Sequence, residues 1–137
     1  MEYITKIHAL NLPNKLVTSG DWHRGAIQWE NLHIKDSCDS IFGDYGIEKN
    51  RRVPFHEGRY NVANHIRAIL DSLEDNELYN IQGMRENLID NEGYTEEIFN
   101  LVYLLRASDN WDNIDRFMLS EYLFDWLYFK KRKQVKI

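Results

Sequence analysis

Apolar and polar positions change rhythm near the middle of the chain. Across residues 61–79 (NVANHIRAILDSLEDNELY), Val62, Ile66, Ile69, Leu70 and Leu73 recur at helical spacing, while Asn64, Arg67, Asp71 and Glu74 fall off that stripe. The spacing predicts a helix that begins at an Asn61 cap and organises the rest of the chain. Before it the texture is strand-like and broken by glycines. Residues 3–12 alternate loosely and read as a strand ended by Pro13. Residues 16–18 read as a second short strand, and residues 26–34 as a strand with a bulge where the alternation slips at Glu30 and Asn31. Gly43 and Gly46 flank a turn at Asp44 and Tyr45, and residues 49–58, with Arg51 and Arg52, read as a solvated loop held out of helix by Pro54.

Downstream the rhythm is helical. A short amphipathic segment spans residues 82–89. Ile98, Leu101, Val102 and Leu105 mark a helix begun at Thr95, and a last helix runs from about Trp111 to Arg132. Its residues 117–129 are apolar nearly all round, which predicts either deep burial or one face kept for a partner or a second copy of the chain. The fold expected from these patterns is α+β: a small N-terminal antiparallel sheet or irregular β layer packed against a C-terminal bundle of three to four helices. A chain of 137 residues with no internal repeat reads as a single domain, β-rich over 1–58, helical over 59–132 and ending in a basic tail over 133–137.

Composition narrows the functional classes. Cys38 is the only cysteine, so no disulfide forms within the chain and a cysteine-based zinc site is excluded, which suits a reducing, cytoplasmic setting. No secretory leader pattern opens the sequence, and no stretch approaches the roughly 20 apolar residues that a bilayer-spanning helix needs. The net charge is −5, but five basic residues sit between Lys130 and Lys136, which leaves −10 over residues 1–129. A body this acidic repels phosphate backbones and disfavours nucleic acid as a general partner, unless a local basic patch overrides the field.

Motifs are sparse. The chain contains no GxSxG, phosphate-binding loop, GxGxxG or HExxH pattern, and its histidines lack zinc-ligand spacing, so the sequence calls for no cofactor and no metal. The one polar cluster with chemical content lies in residues 18–29 (TSGDWHRGAIQW), where Asp21 stands beside His23 and Arg24 between two glycines and two tryptophans. A carboxylate beside an imidazole can orient it as a general acid/base, and Asp44 and His56 would join the pair if their loops gather at one end of the sheet. That set predicts a small hydrolase or ligand-binding protein acting on a phosphate-bearing or polar substrate.

The leading expectation from composition is different: a non-enzymatic protein-binding module that neutralises or regulates a partner by occluding it. Small bacterial or phage antitoxins, immunity proteins and inhibitors of host defence share this acidic, aromatic-rich character. In that reading Asp71, Glu74, Asp75 and Glu77 steer the protein onto a basic, nucleic-acid-binding partner, and Trp126 and Tyr128 supply the apolar contact.

Overall fold

The computed structural model describes residues 1–135. Strands β1 (Glu2–Ile4), β2 (Ile34–Asp36), β3 (Ile47–Arg51) and β4 (Tyr60–Ala63) form one sheet in the order β2-β1-β4-β3. Helices α1 (Lys6–Leu10), α2 (His65–Glu74), α3 (Thr95–Tyr103), α4 (Trp111–Tyr122) and α5 (Phe124–Gln134) complete the α+β fold, with a π-helical turn at Met84–Ile89 before α3. The outer strand pairs are antiparallel, as expected, but the central β1–β4 pair is parallel, with Ile4 opposite Val62, so the sheet is mixed. No helix among the described residues is long and apolar enough to cross a membrane.

The organising helix is present but starts later than its periodicity suggests. Val62 sits opposite both Ile4 and Glu48 in the sheet, so residues 60–63 are held extended and the helix begins after them. Asn64, not Asn61, is the cap: its side-chain oxygen accepts the Arg67 N–H at 2.8 Å. Asn61 stays in β4 and donates to the Glu2 carbonyl at 3.1 Å.

Every residue of α2 from His65 to Leu73 is buried, the polar ones included, because α1, α3, the π-helical turn and β4 all contact it. The face predicted to be polar is therefore a second interior. Arg67 and Asp71 are both fully buried and pair across one helical turn, Nε to Oδ1, at 2.9 Å. Tyr3 and Thr5 each donate a hydroxyl hydrogen bond to Asp71 Oδ2 at 2.7 Å. The Arg67 guanidinium also donates to the carbonyls of Gly43 (2.7 Å) and Tyr45 (2.6 Å) and to the Tyr3 hydroxyl (2.8 Å). Burial and the Asp71 carboxylate push the Tyr3 phenol pKa up, which keeps it a neutral donor. Gly46, at φ 70°, is required beside this network, since a Cβ there would lie 2.9 Å from both Arg67 Cβ and Asn64 Oδ1.

Three expected strands are corrected. Of residues 3–12 only Tyr3 and Ile4 belong to a strand, β1; Lys6 turns the chain at φ 57°, and α1 then buries His8, Ala9 and Leu10. Packing on α2 outweighs a weak alternation. Residues 16–18 form no strand, and residues 26–34 form an irregular segment that reaches β2 only at Ile34, preceded by a 3₁₀ turn at Arg24–Ala26. Lys49 to Arg51, expected in a loop, belong to β3.

The last predicted helix is two helices. Leu123, at φ 54°, breaks it, and the break divides the excess of apolar residues between two burial directions. Ile114, Phe117, Met118 and Tyr122 of α4 and Trp126 and Phe129 of α5 enter the core, where the Phe99 ring meets Tyr122, Trp126 and Phe129 at centroid distances of 4.8, 5.1 and 5.3 Å. Of the expected basic tail, Lys133 and Gln134 close α5, and Lys136 lies outside the described residues.

Removing one half of the buried pair leaves the other charged and unpaired. Asp71→Asn is expected to cost about 3–5 kcal/mol of unfolding free energy, well beyond an exposed ion pair. Urea unfolding of the variant checks this, and a loss below about 1 kcal/mol would show that Arg67 finds other compensation.

Candidate functional site

The segment from Asn11 to Gly25 is folded by side chains that bond to its backbone. Asn11, just past α1, donates to Asp21 Oδ2 at 3.0 Å, accepts the His23 N–H at 2.6 Å, and receives Arg24 Nε on its carbonyl at 3.1 Å. One asparagine thus sets the positions of three consecutive polar groups. Asn14 accepts the His65 N–H at 2.8 Å, tying the loop to the start of α2. Gly20, at φ 74°, passes so close to α1 and α2 that a Cβ would lie 2.4 Å from the Leu10 carbonyl oxygen and 2.7 Å from His65 Cε1.

Within this frame Asp21 and His23 do meet. His23 Nδ1 lies 3.1 Å from Asp21 Oδ2, and the His23 side chain is largely exposed. With Nδ1–H donating to the carboxylate, Nε2 is the ring nitrogen left to accept a proton. The other two expected members are elsewhere. His56 bonds through Nε2 to the Trp29 carbonyl at 2.5 Å, and Asp44 is exposed on the turn whose carbonyls bind Arg67. Of the four residues only Asp21 and His23 therefore pair, while His56 and Asp44 have no hydrogen bond to either. Among the described residues no three His, Cys, Asp or Glu side chains are arranged as a metal-ligand set.

Beside the Asp21–His23 pair lies a cavity of about 440 Å³ lined by Leu10, Leu12, Thr18, Trp22, Arg24 and His65. At its inner wall His65 is buried as a neutral ring: Nε2 donates to the Leu12 carbonyl at 2.7 Å and Nδ1 accepts from the Thr18 hydroxyl at 2.6 Å. The cavity continues into an open groove of about 600 Å³ whose lining includes Arg24, Arg51, Arg52 and Arg59 and no carboxylate. Arg51 is partly committed, to Glu48 and the Pro13 carbonyl. Arg24, Arg52 and Arg59 have only backbone carbonyl partners among the described residues and no acidic one. On the far side of Arg24 a third cavity of about 560 Å³ is lined by Trp29, Glu30, Phe55 and His56. Arg24 belongs to all three.

This groove is the site that the sequence reading missed. Its arginines come from three separate segments, and Arg51 and Arg52 alone look like an ordinary solvated loop. The available signal was their identity: arginine, with its fork of donors, is used here without a single lysine in the lining.

The acidic cluster expected to meet a partner is largely committed inside the protein. Asp71 is buried against Arg67. Glu74 accepts from the Ser40 hydroxyl (2.7 Å), the Ile41 N–H (3.0 Å) and Lys35 (3.1 Å). Asp75 pairs with Lys6 and Lys35, both at 2.9 Å, and Glu77 pairs with Lys6. Trp126 is fully buried, its indole N–H donating to Asp115 at 2.8 Å, so it cannot supply an external contact. Tyr128 is exposed, together with Leu123 and Phe124 at the break between α4 and α5.

Burial holds the His65 imidazole below its ordinary pKa of 6.5, offset in part by its bond to the Leu12 carbonyl and by the Glu48 charge, with Arg51 lowering it further. Below pH 6.5 the unfolded chain therefore binds a proton that the folded one resists, and stability falls as the pH drops toward the folded value. The urea midpoint is expected to decline below about pH 6.5, less steeply in His65→Gln, and an identical acid limb in that variant would assign the decline to other groups, His33 among them. Compared with protein families, curated proteins and solved structures, the chain gives no match.

Proposed function

We propose that the protein is a binding module for a phosphate-bearing ligand seated in the groove of Arg24, Arg51, Arg52 and Arg59. The observation that carries this reading is four arginines without a carboxylate in the lining of one groove, on a chain whose net charge is −5. Like charges gathered on an acidic protein repel one another, and an anion with several oxygens offsets that repulsion through paired guanidinium hydrogen bonds. His23 precedes Arg24 directly and Asp21 lies three positions before it, so the pair is the acid/base group nearest in the chain to a phosphate anchored at Arg24. The inhibitor reading has less support, because all four of its steering carboxylates are held by Arg67, Lys6 or Lys35.

Calorimetric titration with inorganic tripolyphosphate tests the proposal. Saturable binding is expected, weakened at least about tenfold in an Arg52→Ala/Arg59→Ala variant, since hydrogen bonds to charged groups are worth roughly 1.5–3 kcal/mol. Absence of binding at low salt, or equal binding by the variant, would overturn it.

A protein-binding role remains a second reading on one observation: Leu123, Phe124 and Tyr128 are exposed together where α4 meets α5. The occupant that this patch first fits is a second copy of the chain, which presents the same apolar residues to a twofold contact. Sedimentation equilibrium is expected to give a dimer that a Phe124→Ser/Tyr128→Ser variant dissociates, and a strictly monomeric wild type would remove this reading.

A further inference from the structure

Resting on the arginine-groove reading, we infer that the ligand is a single-stranded nucleic acid, its backbone following the guanidinium row and its bases stacking on Trp22 and Phe55. Three observations lead to this occupant rather than to a small anion. The first is continuity. Arg24 lines the groove and both flanking cavities, so a chain anchored by phosphate at Arg24 runs directly into the cavity of Trp22 on one side and that of Phe55 on the other. A lone phosphate needs none of that length.

The second is the state of the two aromatics. Trp22 is 81 % exposed and Phe55 90 % exposed, and both hold a left-handed backbone, at φ 60° and 65°. Bulky residues rarely take that conformation, and here both residues leave most of their surface in water. Stacked bases would cover both rings, with Arg24 adding a cation–π contribution. Trp29, by contrast, is buried with its indole N–H on the Arg24 carbonyl at 3.0 Å, so the same segment separates a structural tryptophan from an exposed one.

The third is charge. The acidic surface outside the groove repels a duplex, which would bring many phosphates near it and keep its bases paired and unavailable for stacking. A single strand confined to the groove avoids both. Glu30 is the one carboxylate among the lining residues of the three cavities, and it lies in the Phe55 cavity, where a base amino group rather than a phosphate would meet it. The expectation that nucleic acid is disfavoured rested on averaged charge and left room for a local basic patch, and the groove is such a patch.

The test uses the full chain with fluorescein-labelled oligothymidylate and oligouridylate of twelve nucleotides, read by anisotropy, with unlabelled strands read by quenching of Trp22, the most exposed of the four tryptophans. Expected are binding of the single strands, weaker binding of a duplex of equal length, and a loss of roughly 5- to 150-fold in affinity for Trp22→Ala and for Phe55→Ala. The slope of log affinity against log salt should also fall by about 1.4 in Arg52→Ala/Arg59→Ala. A preference between the two strands assigns DNA or RNA as the source. If tripolyphosphate binds as tightly as the oligonucleotides and the aromatic substitutions change nothing, the nucleic-acid proposal is overturned while the anion groove stands. Equal binding of the duplex also overturns it, and no binding of any probe overturns both readings.

Discussion

A guanidinium held in the core sets the geometry on which the other elements depend. Arg67 and Asp71 lie one turn apart on a helix buried on every side, and each recruits partners from elsewhere: Tyr3 and Thr5 from β1 and its end, and the carbonyls of the Gly43–Gly46 turn. A buried charge is tolerated only when its hydrogen bonds are complete, so these partners cannot shift independently. The Tyr3 ring also lies under the guanidinium, with the Arg67 Cζ 4.9 Å from its centroid. The first strand, the turn before β3 and the central helix are thereby fixed to one another by polar contacts, and apolar packing fills the space around them.

The candidate site is built on the start of the same helix. Asn64 caps α2, His65 faces the cavity, and Asn14 and Gly20 bring the following loop against it. Around the groove the backbone is strained at Val17, Trp22, Asn50 and Phe55, which all have φ between 57° and 65° without being glycine. Such conformations cost on the order of 1–3 kcal/mol each and persist only where neighbouring contacts over-determine them. At Trp22 the bonds of Asn11 to Asp21 and His23, on either side of it, supply such contacts. Lys6, Asn76, Asp90 and Leu123 share that conformation elsewhere, so what sets this surface apart is its arginine lining and not the strain alone.

Net charge misdirects in this protein because it averages over two opposite arrangements. The acidic residues at the end of α2 look like a steering surface in one dimension, yet Lys6 and Lys35 reach them from α1 and β2. The arginines look scattered, yet β3, the loop before β4 and the 3₁₀ turn at Arg24 bring them to one groove. Opposite charges that are far apart in sequence found each other in the first case and were kept apart in the second.

The α+β division, the existence of the central helix and the approximate positions of α3 and the C-terminal helical region were legible in the sequence, because apolar spacing reports which elements have a face to bury. The closeness of Asp21 and His23 was legible for a simpler reason: residues two apart in a tight loop have little freedom to separate. The rest was decided in three dimensions. Helical periodicity shows which residues leave the apolar stripe but not whether a second layer covers them, so Arg67 and Asp71 read as surface and are core. Strand pairing of Val62 overrode its helical phase, and the left-handed Leu123 divided a helix whose local pattern had no visible break. The groove depended on long-range contacts between segments with no shared periodicity, and only tertiary packing determines which of those come together.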